Sequence, residues 1–173
     1  MSNLSFTTYE SPLGTLYLTS NQDALLGVSF ISEIREEQES NPVLDMTIQQ
    51  LDAYFNGKLQ QFTVPLELHG TAFQMSVWKE LSLVPYGTVV SYQDIAIAIG
   101  NPKAVRAVGM ANNKNPIGII IPCHRVIGKQ GSLTGYAGGL DKKQWLLCHE
   151  RANQNNITYM NNAIGEIHDR QVH

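Results

Sequence analysis

In the first third of the chain the apolar positions change period once. Thr15 to Thr19 alternates, with Leu16 and Leu18 on one face and Pro12 and Gly14 supplying the preceding turn. Ala24 to Phe30 is a second apolar run after the Asn21-Gln22-Asp23 turn, so residues 6–30 predict short strands. Residues 32–40 are charged and predict a solvated loop or an exposed helix. From Asn41 the period lengthens. Leu44, Ile48, Leu51 and Phe55 recur at spacings of three and four, which is one face of a helix. Asn41 serves as its cap, Pro42 as its first residue and Asn56-Gly57 as its stop. Residues 58–70, with Pro65 and Gly70, predict an extended connection.

The second half reads as short helices. Thr71 caps a helix to about Leu83 that turns Phe73, Val77, Trp78 and Leu81 inward. Pro85-Tyr86-Gly87 is a turn and Thr88 to Val90 a short strand. Ser91 caps a helix reaching Ile99, Gly100-Asn101 closes it, and Pro102 starts the next, which ends at Asn112 or Asn113. Two short helices across so brief a turn form a helix-turn-helix candidate. Ile117 to Ile127 reads as extended and apolar, and Gly131 to Gly139 as a Gly-rich loop. Leu140 to Glu150 reads as a helix with Trp145, Leu146 and Cys148 among its apolar positions. The tail from Arg151 is polar and Asn-rich and is expected to fray or to lie loosely on the surface. The expected division is residues 1–68, 69–150 and a tail 151–173.

Composition narrows the classes. Hydrophobic residues make up 43% of 173, enough for a packed core. Charged residues make up 16%, below the usual ~25%, which excludes a disordered chain or a coiled coil. Two cysteines cannot build a disulfide scaffold or a four-thiolate metal site. The two cysteines and five histidines show no metal spacing, so no metal is expected. No apolar stretch approaches the roughly 18–20 residues that span a bilayer, and Met1 to Glu10 lacks the basic and apolar regions of a signal peptide. A soluble, cytoplasmic protein is expected. The net charge of −3 argues against a nucleic-acid binder, but its distribution does not. Residues 1–68 carry two basic and nine acidic groups, whereas residues 69–150 carry eight basic and four acidic. A polyanion would meet the second half, although chance and solubility account for such a split equally well.

The densest chemistry is Ile121-Pro122-Cys123-His124-Arg125-Val126. Thiolate is the nucleophilic form of cysteine, and a histidine base or a cation beside the sulfur favours it. In an extended chain neighbouring side chains point to opposite faces, so Cys123 and His124 need a turn after Pro122 or a bridging water to cooperate. A bare Cys-His pair is more often a buried structural cysteine with a chance neighbour. Cys148-His149 is such a case and reads as core.

The neighbouring motifs change that balance. Pro85-Tyr86-Gly87, Val90-Ser91-Tyr92, Gly100-Asn101-Pro102, Ala104 to Gly109, Asn115-Pro116, Ile121 to Val126, Gly135-Tyr136 and Trp145 to Glu150 follow in order. This series resembles the O6-alkylguanine-DNA alkyltransferases, also called methylated-DNA–protein-cysteine methyltransferases. The resemblance reaches back through Phe73 and Trp78, and the first domain matches in length and element order only. It implies an α+β fold, with a small ribonuclease H-like sheet-plus-helix domain before a mostly helical one carrying a winged-helix-like helix-turn-helix. It implies DNA repair by stoichiometric, irreversible alkyl transfer from O6-alkylguanine to Cys123, with O4-alkylthymine a further candidate. No cofactor takes part. It implies as partner double-stranded DNA held through its minor groove by a monomer, in the cytoplasm, and on the nucleoid if the source is a bacterium.

The resemblance also assigns roles. Cys123 accepts the alkyl group, His124 acts on it through a water, and Glu150 orients the histidine and favours its charged form. Tyr92 helps rotate the nucleotide and donates a hydrogen bond to the leaving guanine, and Arg106 fills the vacated stack. Gln93, Asn101 and Arg125 join them at the DNA, and Lys103, Lys114, Arg125 and Lys129 are candidate phosphate contacts. Asn115 is the hinge to the active-site segment, and Tyr136 and the backbone around Val126 line the pocket. Ala137 stands where some members have serine, and no zinc-ligand cluster occurs in the first domain. Three other functions compete: a non-catalytic damage sensor, which the presence of Cys123 disfavours; a thiol hydrolase using Cys123, His124 and Glu150; and a helix-turn-helix transcription factor.

Overall fold

A computed structural model describes residues 4–30 and 39–155. The N-terminal part is an antiparallel meander of β1 (Ser5–Ser11), β2 (Gly14–Ser20) and β3 (Leu25–Ser29), in the order β1-β2-β3. The strand expected from Thr15 to Thr19 is the middle one, and its inward Leu16 and Leu18 are fully buried. Helix α1 (Pro42–Phe55) packs across this sheet. The Asn41 side chain accepts from the Leu44 N–H at 2.8 Å, a cap that contributes about 1 kcal/mol. Leu44 and Leu51 are fully buried, as their spacing requires, and so is Tyr54. Most of the charged stretch 32–40 lies outside the described residues.

The C-terminal part is helical. Helix α2 (Ala72–Leu81) begins with a reciprocal capping box between Thr71 and Gln74. Helix α3 (Tyr92–Ala98) begins with another between Ser91 and Asp94. Helix α4 (Val105–Asn113) starts three residues later than expected, because Pro102 and Lys103 form the inter-helix turn. The buried Trp78 indole N–H donates to the Ala111 carbonyl at 2.8 Å and fixes α2 against α4. A last helix, α5, covers residues 140–155. Its first part is the helix expected to end at Glu150, and it continues five residues into the stretch expected to fray. The rest of that tail lies outside the described residues.

The segment 117–127 is the clearest departure. Ile117, Ile119 and Ile121 are buried alternately, as in a strand, but the backbone turns back on itself. The Ile121 N–H donates to the Ile117 carbonyl at 3.0 Å, and Ile119 takes φ +71°, a left-handed conformation costly for a β-branched residue. A single 3₁₀ turn (Cys123–Arg125) follows. Only β5 (Val126–Ile127) is extended, paired in parallel with β4 (Val90–Ser91). The two halves meet at a backbone ladder: the Val28 N–H donates to the Pro116 carbonyl at 3.0 Å, and the Gly118 N–H to the Val28 carbonyl at 3.1 Å. The architecture is α+β, a small antiparallel sheet with one helix followed by a helical domain.

Candidate active site

The 3₁₀ turn supplies the bend after Pro122 that cooperation between Cys123 and His124 requires. It sits in the interior, with Cys123 6% exposed and His124 fully buried. Two asparagines from the end of α4 hold the segment: Asn115 Nδ2 donates to the Ile121 carbonyl at 2.7 Å, and Asn112 Nδ2 to the Cys123 carbonyl at 3.3 Å. Asn115 thus lies where the hinge was expected, bound to the segment it was to position.

Behind Cys123 lies a network centred on Glu150, which is fully buried rather than a surface acid. Its Oε2 accepts from His124 Nε2 at 2.7 Å, from the Tyr54 hydroxyl at 2.7 Å and from Arg125 Nη2 at 3.0 Å. Its Oε1 accepts from Arg125 Nε at 2.8 Å. Arg125 Nη1 donates to the Val84 carbonyl at 2.7 Å. Arg125 is therefore not at the DNA. It is 6% exposed and forks onto the carboxylate, because an anion this deep requires a full cation and several donors.

Burial alone would raise the Glu150 pKa, but His124 and the guanidinium outweigh it and hold the carboxyl well below its usual range. Burial pushes His124 below the ordinary imidazole value, against the pull of Glu150 and with a further push from Arg125. The resting pair at neutral pH is thus an anionic Glu150 accepting the Nε2 proton of a neutral His124. Glu150 does pull the histidine toward its charged form, but burial outweighs that pull, with Arg125 and Lys143 adding to the effect of burial. The tautomer leaves His124 Nδ1 as an acceptor, and that atom is buried with no hydrogen-bond partner among the described residues. Burial also raises the Cys123 pKa, opposed by a hydrogen bond from Asn115 and by the charge of Lys143. The resting sulfur is a thiol, with a base of matching tautomer on the neighbouring residue.

Cys123 lines a cavity of about 220 Å³. One wall is Asn112, Asn113, Asn115, Pro116 and Gly118, another Tyr136, Ala137 and Gly138, and the third Val28, Ser29 and Phe30 from the sheet domain. Tyr136 is where it was expected, with its hydroxyl buried and unpartnered among the described residues. Val126 is not in the lining; it is fully buried and engaged with Val90 in the short parallel ladder. The Tyr92 hydroxyl donates to the Thr134 carbonyl at 2.8 Å, and its ring lies beside α4, 3.9 Å from where a Cβ on Gly109 would stand. Gly135 closes the same loop at φ +57°, with room for no side chain that Asn113 would not have to make way for.

The outer face of the helix pair is open. Arg106, Ala107, Met110, Asn113 and Lys114 are exposed along α4, as are Asn101 and Lys103 in the turn before it and Lys129 on the loop beyond Ile127. Gln93, expected at the DNA, is half-buried and donates from Nε2 to the Pro102 carbonyl at 3.1 Å, so it braces the inter-helix turn. Cys148 is exposed, not core, because it falls on the outer face of α5. Besides Asn112 and the sheet-domain wall, two charged or polar residues at the site were missed. Tyr54 follows Leu51 by three, at the edge of the inward stripe of α1. Lys143 precedes Leu146 by three and Glu150 by seven, which places it on the inner face of α5. Its buried ammonium donates to the Thr134 and Gly135 carbonyls at 2.7 and 3.2 Å, and burial lowers its pKa to about 8.

Two family models cover nearly all of the described chain. The ribonuclease-like domain of 6-O-methylguanine DNA methyltransferase matches residues 4–68, and its DNA binding domain matches residues 72–152. A methylated-DNA–protein-cysteine methyltransferase of Methanosarcina barkeri is 48% identical over 150 residues, 83% of this chain and 95% of its own. One from Mycolicibacterium paratuberculosis is 45% identical over 153 residues, 86% and 93% of the two chains. The crystal structure of the O6-methylguanine methyltransferase of Mycobacterium tuberculosis superposes with a TM-score of 0.80 at 43% identity, covering 87% of this chain and 94% of that one. The OGT of the same organism in complex with DNA superposes with a TM-score of 0.79 at 44% identity, covering 86% and 94%. Both halves of the chain match in sequence order, and the cysteine sits in a cavity between them: the chain belongs to the methylated-DNA–protein-cysteine methyltransferase family.

Proposed function

We propose that this protein repairs DNA by transferring a methyl or other alkyl group from O6 of guanine to Sγ of its own Cys123, once per molecule. One observation carries the assignment of the acceptor: Cys123 lines an open cavity and is followed in the chain by a buried histidine whose Nε2 is held by Glu150 and whose Nδ1 is left as an acceptor. In the reaction the sulfur–carbon bond forms as the carbon–O6 bond breaks. The thiol proton passes to His124 through a water, and the departing guanine anion takes a proton from the Tyr92 hydroxyl, which solvent restores as His124 returns its own proton to solvent. Glu150 faces the transient imidazolium and stabilises it. The product is a thioether, which has no hydrolytic exit, so the protein is consumed.

The target atom lies inside a base stack, so the nucleotide is flipped out, at a cost of a few kcal/mol that is least for a damaged, poorly paired base. The exposed face of α4 suits the minor groove, with small Ala107 permitting close approach and Arg106 long enough to occupy the gap. Tyr92, whose hydroxyl is held by the loop that leads to Tyr136, exchanges the Thr134 carbonyl for the flipped guanine. Asn101 and the exposed Lys103, Lys114 and Lys129 meet the backbone. The acidic sheet domain faces away from the phosphates, the protein acts as a monomer, and its place is with the DNA in the cytoplasm. The domain boundary is placed at residues 68–69, where the first family match ends and shortly before the second begins at residue 72.

The test is intact mass after incubation with an oligonucleotide carrying O6-methylguanine. One added methyl and no second is expected, lost in Cys123→Ala and kept in Cys148→Ala, with Cys123→Ala still binding DNA. Methyl mapped to Cys148, or turnover without covalent capture, overturns the assignment.

A further inference from the structure

The third wall of the Cys123 cavity comes from the domain that carries no part of the nucleophile. Phe30 follows β3 directly, and the ladder between Val28 and residues 116–118 anchors its backbone two residues away. Its ring is held on several sides. It meets Tyr136 edge-on, with centroids 6.3 Å apart and planes at 65°. Lys142 Nζ lies 5.3 Å from its centroid. It also rests on the backbone of Gly138: a Cβ there would stand 2.7 and 2.9 Å from Phe30 Cδ2 and Cε2. Contacts that short do not occur, so the ring occupies space that only a glycine leaves free. Gly118 and Ala137, also in the lining, add little bulk of their own. Phe30 and Tyr136 are the two rings in the lining, and Phe30 is the one contributed by the sheet domain.

We propose that Phe30 is a specificity-determining residue that sets, from the N-terminal domain, the size of the alkyl group the Cys123 cavity admits. The proposal rests on the alkyl-transfer reading above. It gives the sheet domain a part in substrate choice. A difference of one methylene in an apolar pocket changes discrimination by about 10–200-fold, and a whole ring exceeds that increment in volume.

The experiment measures single-turnover transfer rates from O6-methylguanine and O6-benzylguanine in the same oligonucleotide, so that DNA binding cancels in the ratio. Phe30→Ala is expected to raise the benzyl-to-methyl ratio about tenfold or more over wild type, and Phe30→Leu by less. Gly138→Ala, which drives a methyl into the ring, is expected to lower it, and the double variant to recover, since the clash needs both partners. A ratio within about twofold of wild type in Phe30→Ala, or in Phe30→Leu if the alanine variant fails to fold, overturns the proposal. Absence of transfer from either substrate by the wild-type protein instead overturns the alkyl-transfer reading itself, and this proposal with it.

Discussion

Replacing Arg125 by methionine removes a cation from the interior while keeping most of its length. In the wild type the guanidinium gives two hydrogen bonds to Glu150, at 2.8 and 3.0 Å, and one to the Val84 carbonyl. The variant leaves Glu150 with the Tyr54 hydroxyl and His124 as its close side-chain donors. Breaking a buried pair from one side costs about 3–5 kcal/mol. With a urea m-value toward the upper end of the usual ~1–3 kcal/mol/M, the unfolding midpoint falls by roughly 1–2 M. The pH dependence carries a sign. Glu150 has a folded pKa below its unfolded value, so the stability it contributes is present above about pH 4.3 and is lost as pH falls further. Without Arg125 that depression shrinks, so the gap between wild type and variant is largest near pH 7 and narrows below pH ~4. DNA binding provides the contrast. A lost phosphate contact would reduce the slope of log K against log salt by about 0.9, whereas a buried residue changes it little. Urea titrations across pH, together with salt titrations of DNA affinity, decide the matter. A destabilisation below about 1 kcal/mol joined to a salt slope lowered by about one contact would refute the placement of Arg125 as an internal strut and return it to the DNA surface.

Tyr54→Phe keeps the ring and removes the donor to Glu150 Oε2; it is expected to cost about 1.5–3 kcal/mol and to slow alkyl transfer with DNA affinity unchanged, read by chemical denaturation beside single-turnover kinetics. Lys143→Met removes a positive charge that favours the Cys123 thiolate, so the pH profile of Cys123 alkylation by iodoacetamide should move upward; an unmoved profile would exclude that electrostatic role. Arg106→Ala should slow repair of O6-methylguanine in duplex DNA and leave reaction with free O6-benzylguanine nearly normal, because the free base needs no flipping; equal losses on both would mean that Arg106 supports the cavity instead.

Much of this protein was decided locally and could be read without coordinates. Helix α1 with its Asn41 cap, the Thr71 and Ser91 capping boxes and the strand around Leu16 and Leu18 depend on residues within a few positions of one another, so period and capping chemistry sufficed. The candidate site residues Cys123, His124, Asn115 and Tyr136 were also legible, because they stand in one ordered series of motifs. What the sequence could not decide is set by distance along the chain. Tyr54 and Glu150 are 96 residues apart and share a 2.7 Å hydrogen bond, and Phe30 reaches Tyr136 across a similar span. Arg125 resembled a DNA contact because a basic residue beside a nucleophile suits a phosphate as readily as a buried carboxylate. Only the packing of α5 behind the 3₁₀ turn makes it the partner of Glu150. Alternation from Ile117 to Ile121 fitted a strand, since it reports which side chains are buried and not how the backbone brings them there. Charge state followed the same rule: His124 is neutral at rest because burial and Arg125 outweigh Glu150, a balance fixed by depth and separation in three dimensions.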